Sequence, residues 1–141
     1  TIALAPVSFG PVQFRVSEAL TVLPAFTSAA IPGLTLGCLI ANTYSIMMMG
    51  STAVLDLIFG TLATLIAAIL SYNMPKRYLV PLPPIVINGV VVGSVLSFML
   101  KVPLLLTMIS VAFGEAVVCY GLGYPLIILL DKHREKIFKN N

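Results

Sequence analysis

LLLTMISVAFGEAVVCYGLGYPLIILL, residues 104–130, carries one charged side chain, Glu115, among 27 residues. A helix needs about 20 mainly apolar residues to cross the ~30 Å hydrocarbon core of a bilayer, so this stretch reads as a membrane-spanning helix, with a bend expected where Gly121, Gly123 and Pro125 cluster. Upstream, Lys101-Val102-Pro103 turns the chain and 85–100 is a second apolar run. Before it come 54–72, 31–48 with Pro32 in its first turn, and a short run at 16–26 that stops near Pro24. Residues 1–9 read as the end of a helix whose start precedes this sequence, broken by Gly10-Pro11. Asn73-Met74-Pro75-Lys76-Arg77 with Pro81, Pro83 and Pro84 reads as a stiff basic connector that no helix traverses.

The rest of the composition agrees. Of 141 residues, 59% are hydrophobic and 9% charged, and the mean hydropathy is +1.06; a soluble domain carries roughly 25% charged residues. Long continuous apolar stretches without period-two alternation argue against a β-barrel. The expected fold is an all-α integral membrane protein, one bundle of six transmembrane helices at roughly 1–9, 16–26, 31–48, 54–72, 85–100 and 104–130. A basic tail follows at 131–141, and the first helix is truncated. Although the net charge is +3, the bases flank apolar segments, where they set orientation and do not bind nucleic acid. Cys38 and Cys119 lie inside apolar stretches and read as small buried residues.

Two loops separated by two crossings share a side. Lys76 and Arg77 therefore lie with Lys132, Arg134, Lys136 and Lys139 of the tail, and the positive-inside rule makes that side cytoplasmic. Loop 10–15 is then extracellular, provided that 16–26 counts as a crossing, and Lys101 tops an outer turn. Small residues at four-residue spacing, Gly33/Gly37/Ala41, Gly60/Thr64/Ala68 and Gly89/Gly93/Ser97, are read as close helix contacts within the bundle.

A charge at mid-bilayer costs roughly 2.5 to 3.5 kcal/mol on insertion scales, so each one calls for a function. Glu115 lies about 16 Å into its helix at about 1.5 Å per residue; it either contacts a ligand or locks the bundle through an ion pair or hydrogen bond, with Arg15 as a candidate partner. Arg15 and Glu18, three apart, share a face of the 16–26 segment and equally suit a local ion pair. Asp56 fits either a site or the first turn of its helix, where the dipole favours an acid. Asn42 and Asn88 suit interhelical hydrogen bonds as well as ligand contacts, and His133 is a solvated tail residue. Together, Arg15, Glu18, Asn42, Asp56 and Glu115 describe a polar pocket open to the outside, with no matching inner pathway. Such a bundle is expected to capture a solute and to need other subunits for its release; no nucleotide-binding glycine loop, zinc-ligand spacing or nucleophile–base pair occurs in the chain, so no enzyme activity is expected and the energy must come from elsewhere.

The stretch from Leu4 through Phe14-Arg15-Val16-Ser17-Glu18 to Pro24 resembles the signature of the QueT family, queuosine-precursor substrate-binding (S) components of energy-coupling factor (ECF) transporters. Ala30-Ile31-Pro32-Gly33, Asp56-Leu57-Ile58-Phe59-Gly60-Thr61-Leu62-Ala63-Thr64, Pro81-Leu82-Pro83-Pro84 with Asn88, and Gly114-Glu115-Ala116-Val117-Val118-Cys119-Tyr120 resemble its later blocks. The resemblance implies a six-helix S-component fold whose first outer loop closes over the ligand. It also implies a transmembrane coupling (T) protein and two ABC-type ATPase subunits as partners. No cofactor is implied for the chain itself, since ATP is used by those partners. The implied ligand is a 7-deazaguanine such as 7-aminomethyl-7-deazaguanine, whose guanine-like edge offers two adjacent N–H donors to a carboxylate. Glu115 takes one acidic role and Glu18 or Asp56 the other, facing the aminomethyl cation. Arg15 orders the loop or donates to the purine carbonyl. Phe14, beside Gln13 on the outer loop, stacks on the ring or anchors at the membrane interface. Asn42 and Asn88 complete the expected binding set. The rivals are an S component for another vitamin or nucleobase, a small proton-coupled exporter with Glu115 as proton carrier, and an intramembrane enzyme.

Overall fold

The computed structural model describes residues 16–49 and 54–137, and among them every regular element is helical. Five helices follow one another: α1 (Val16–Ala25), α2 (Ala30–Met49), α3 (54–72), α4 (Leu82–Leu100) and α5 (104–137). This is five where six were expected; the segment 1–9, counted as the first, lies outside the described residues. Three stretches, Ala30–Met47, Arg77–Leu100 and Leu104–His133, are long and apolar enough to cross a membrane, and Asp56–Tyr72 is a shorter apolar helix. The chain is a membrane protein.

Helix α1 departs from the expected crossing. Its ten residues wind as a 3-10 helix, which at about 2.0 Å per residue spans only about 20 Å, short of the ~30 Å hydrocarbon thickness. Pro24 lies inside it and contributes no backbone N–H, while the Thr21 hydroxyl donates to the Glu18 carbonyl three residues back, at 2.6 Å. Such tight helices rarely exceed four residues. Packing sustains this one, since Glu18, Ala19, Thr21 and Val22 are all buried.

Helix α4 starts earlier than its prolines implied. Pro81 is its N-cap and Pro83 and Pro84 fall in the first turn, where a missing N–H removes only a donor that would have had no intrahelical partner. Three of the nine connector residues, Arg77–Leu79, form a 3-10 turn. Helix α5 runs past the expected end at 130, so the first turns of the basic tail are helical. The expected bend takes the form of a π-helical turn at Cys119–Gly123, between the α-helical stretches Leu104–Val118 and Tyr124–Ile137. A second π turn, Asp56–Gly60, opens α3.

Helices α2 to α5 pack as sequential antiparallel neighbours, and α1 lies against α3 and the π turn of α5. The glycines of α4 set the α4–α5 approach: a Cβ on Gly89 would stand 2.9 Å from Ala112 Cβ, and one on Gly93 2.7 Å from Met108 Cα. Gly60 likewise faces Asp56 and Asn42, whereas Gly33 and Gly37 meet nothing within 4 Å. The Gly33 and Gly37 end of the first small-residue stripe is therefore not a close internal contact among the described residues, whereas Ala41 at its other end is buried.

Two apolar clusters bracket the bundle. Val92, Leu96 and Val111 fill the half towards the Lys101 turn. At the other end Val22, Val80 and Ile127 gather with Ala25, Phe26, Met74 and Leu126. There Arg77 donates to the Ala25 carbonyl at 2.7 Å, pairs with Asp131 at 3.3 Å and sits 4.4 Å from the Phe26 ring centroid. The connector 73–81 and the tail thus share one side, as the loop parity required, with Lys101 on the other. The turn at Lys101 takes a left-handed φ of 53°, closed by the Ser97 hydroxyl on the Val102 carbonyl at 2.7 Å.

Candidate ligand-binding site

Between the two apolar clusters lies a polar layer. Glu115 stands eleven residues into α5 and Asn88 twelve residues before the end of α4, or about 16 and 18 Å from the Lys101 turn at about 1.5 Å per residue. Close α4–α5 packing at Gly89 and Gly93 brings them together: Asn88 Nδ2 donates to Glu115 Oε1 at 3.3 Å. Asn88 is 0% and Glu115 2% exposed. The other carboxylate oxygen, Oε2, accepts from Cys119 Sγ at 3.8 Å, one helical turn along. Cys119 Sγ also lies 3.6 Å from the Glu18 carbonyl and 3.9 Å from Thr21 Oγ1, so α1 is drawn onto the same cluster.

The π turn makes this approach possible. It begins at Cys119 and ends at Gly123, where a Cβ would meet Val22 Cγ1 at 3.0 Å and the Ala19 carbonyl at 3.2 Å. Bare backbone at Gly123 lets α1 settle against α5 and places Glu18, itself buried and partnered, beside Cys119. The extra residue of a π turn is a common device at functional sites.

Asn42 and Asp56 fall in a second cluster, in the α2–α3 seam. Asn42 Nδ2 donates to the Asp56 carbonyl at 3.1 Å and to Cys38 Sγ at 3.4 Å. Thr64 Oγ1 donates to the Gly60 carbonyl at 3.0 Å and lies 3.2 Å from Cys38 Sγ. Asp56 is 5% exposed, yet its Oδ1 has no hydrogen-bond partner. It shares that condition with Asn88 Oδ1 and Thr61 Oγ1 among the described residues. An unpartnered buried oxygen costs roughly 1–3 kcal/mol, so each of the three calls for a physical reason, whether strain, a functional role or a bound water or ion.

The structure thus joins Glu115, Asn88 and Glu18 in one layer and Asn42 and Asp56 in another. Arg15, Phe14 and Gln13 lie outside the described residues. Cys119 and Thr21, read from the sequence as packing or not singled out, are part of the Glu115 layer; the four-residue spacing of Glu115 and Cys119 was the available signal. Cys38 and Thr64 join the second cluster in the same way, at helical spacings from Asn42 and Gly60. Both cysteines are free and buried. Among the described residues no three His, Cys, Asp or Glu side chains gather as a metal site would require. An apolar groove of about 380 Å³, lined by Leu55, Phe59, Val90, Val91, Ser94, Val95 and Phe98, opens on the α3–α4 surface and contains none of the layer's carboxylates.

Acceptor groups are thus buried at mid-depth between the two apolar clusters. Comparison with known proteins gives the family. The Queuosine precursor transporter QueT of Lactococcus lactis subsp. cremoris (strain MG1363) is 36% identical over 78 residues, 55% of this chain and 43% of that protein. The match therefore spans under half the length of that relative. No solved structure matches. Residues 1–132 match the family described as QueT transporter, and the chain belongs to that family.

Proposed function

We propose that this chain is the substrate-binding membrane subunit of an ATP-driven ECF importer and that its ligand is a 7-deazaguanine queuosine precursor such as 7-aminomethyl-7-deazaguanine. The observation that carries the reading is the Asn88–Glu115 pair, buried at mid-bundle with an amide oxygen left unpartnered. A carboxylate next to an amide acceptor is complementary to a guanine-like edge of adjacent N–H donors. Membership of a transporter family and the name of the Lactococcus relative support the solute class. Glu115 takes the purine edge, Asp56 or Glu18 the aminomethyl cation, and Arg15, Phe14 and Gln13 contribute from the outer loop.

In this mechanism the ligand enters from outside, the subunit topples in the membrane with a coupling protein, and two ATPase subunits drive release inside. The chain's own part is capture: it excludes water from the acceptors, so that each hydrogen bond to the ligand is made in low dielectric.

The test is binding of 7-aminomethyl-7-deazaguanine to purified Glu115→Gln and Glu18→Gln proteins. Truncating a buried hydrogen-bonded charge costs 2 kcal/mol or more in comparable interfaces, so at least about a thirty-fold loss is expected for Glu115→Gln. Wild-type affinity in both variants would refute carboxylate recognition. Concentrative uptake by the isolated chain in liposomes without ATP would refute the coupled mechanism.

A further inference from the structure

The Asn88 amide cannot turn freely. Its Nδ2 is held at 3.3 Å by Glu115 Oε1, which is the acceptor of that bond, so a flipped amide would set oxygen against oxygen. The Glu115 carboxylate is in turn steadied through Oε2 by Cys119. Asn88 Oδ1 therefore has a fixed character, that of an acceptor, and it is fully buried and without a partner. Of the three such oxygens among the described residues, Thr61 Oγ1 belongs to a hydroxyl that rotates, and Asp56 Oδ1 sits in the other seam.

We infer that Asn88 is a specificity-determining residue whose Oδ1 accepts a hydrogen bond from the exocyclic amine of a 2-amino-pyrimidinone edge, the ring N–H beside that amine going to Glu115. The inference rests on the deazapurine reading above and sharpens it: selection among flat bicyclic bases is made at the 2-position, by a buried amide. A base with hydrogen at that position leaves Oδ1 orphaned in the complex, and a base with a carbonyl there opposes two acceptors. Sites built to hydrogen-bond a polar group reject analogues lacking it more strongly than apolar pockets reject a missing methylene.

The experiment compares 7-deazaguanine with 7-deazahypoxanthine, which differ only in the 2-amino group, by calorimetric titration of the purified full chain. The wild type is expected to prefer 7-deazaguanine by at least about ten-fold, the worth of one buried hydrogen bond. In Asn88→Leu, which keeps the branched outline and removes both polar ends, the preference is expected to fall within about three-fold. Loss of the Asn88 prop to Glu115 weakens both bases alike, so the ratio reads selection and not positioning; Glu115→Gln, by contrast, is expected to lower both affinities and leave the ratio standing. Asn88→Ala serves if the leucine variant fails to unfold cooperatively on heating. A wild type without preference overturns the inference whatever the variants do, and so does a folded Asn88 variant that keeps the ten-fold ratio. A wild type that binds neither base, nor 7-aminomethyl-7-deazaguanine, overturns the deazapurine reading itself.

Discussion

Asp56 carries a cost that its surroundings do not offset. Its backbone carbonyl is used by Asn42, its side chain is 95% buried, and Oδ1 faces Gly60 without a donor. The dipole of a helix N-terminus favours an acid here by only about 0.3–1 kcal/mol, less than the desolvation of an unpaired carboxylate oxygen. Asp56→Asn keeps the shape and removes the charge. Its ligand-free thermal midpoint in detergent is therefore expected to rise by a few degrees, about 1 kcal/mol. Its affinity for the cationic 7-aminomethyl ligand is expected to fall at least about ten-fold further than its affinity for a neutral 7-cyano counterpart. A lowered midpoint would show that the carboxylate is structural, and equal losses for both ligands would remove the cation from its role.

Lipid offers little hydrophobic drive for helix association, so close van der Waals approach holds the helices together. The spacing of glycines announced this without saying which stripe is used inside. A methyl on Gly93 would meet Met108 backbone, which has no flexible end to swing aside, whereas one on Gly37 meets nothing within 4 Å. Gly93→Ala is expected to cost about 1–3 kcal/mol through overpacking. Gly37→Ala is expected to be neutral or stabilising by up to about 1 kcal/mol from helix propensity. Thermal unfolding of the two proteins side by side decides it, and equal midpoints would contradict the packing. The same contrast marks what the sequence could tell. Apolar length identified α2, α4 and α5 as long enough to span because membrane thickness fixes that length, with α3 a shorter apolar helix, and the glutamate at 115 stood out because charge is scarce. Helix α1 misled because an apolar run records burial and not pitch. The prolines at 83 and 84 misled because a proline that breaks a helix interior is harmless in a first turn. Cys119 and Thr21 were missed because their contact joins residues 98 positions apart, through a π turn that no local pattern declared.

Across the bundle, charge is distributed unevenly along the membrane normal. Arg77, Asp131 and Lys132 lie at one end, and the Lys101 turn lies at the other. The Glu115 layer is about 16 Å below that turn and is separated from the basic end by Val22, Val80 and Ile127. If the basic end is cytoplasmic, as the positive-inside rule requires, the apolar cluster and the Arg77 clasp on Ala25 and Phe26 close the inner side, and a ligand arriving from outside has to pass beside the Val92, Leu96 and Val111 cluster to reach the acceptors. Orientation thus decides whether the site belongs to an importer. It can be read by cysteine labelling in intact cells, because the native thiols are poor targets: Cys38 is 8% and Cys119 0% exposed. Val102→Cys places a thiol on the 40% exposed turn residue beside Lys101, avoiding the left-handed position itself, and Lys132→Cys places one on the exposed first turn of the tail. A membrane-impermeant maleimide is expected to label Val102→Cys in intact cells and Lys132→Cys only after permeabilisation, with the parent protein unlabelled in both. The reverse pattern would put the Arg77 end outside. The closed base would then become the face that meets the solute, and capture from outside through the Lys101 half would be untenable.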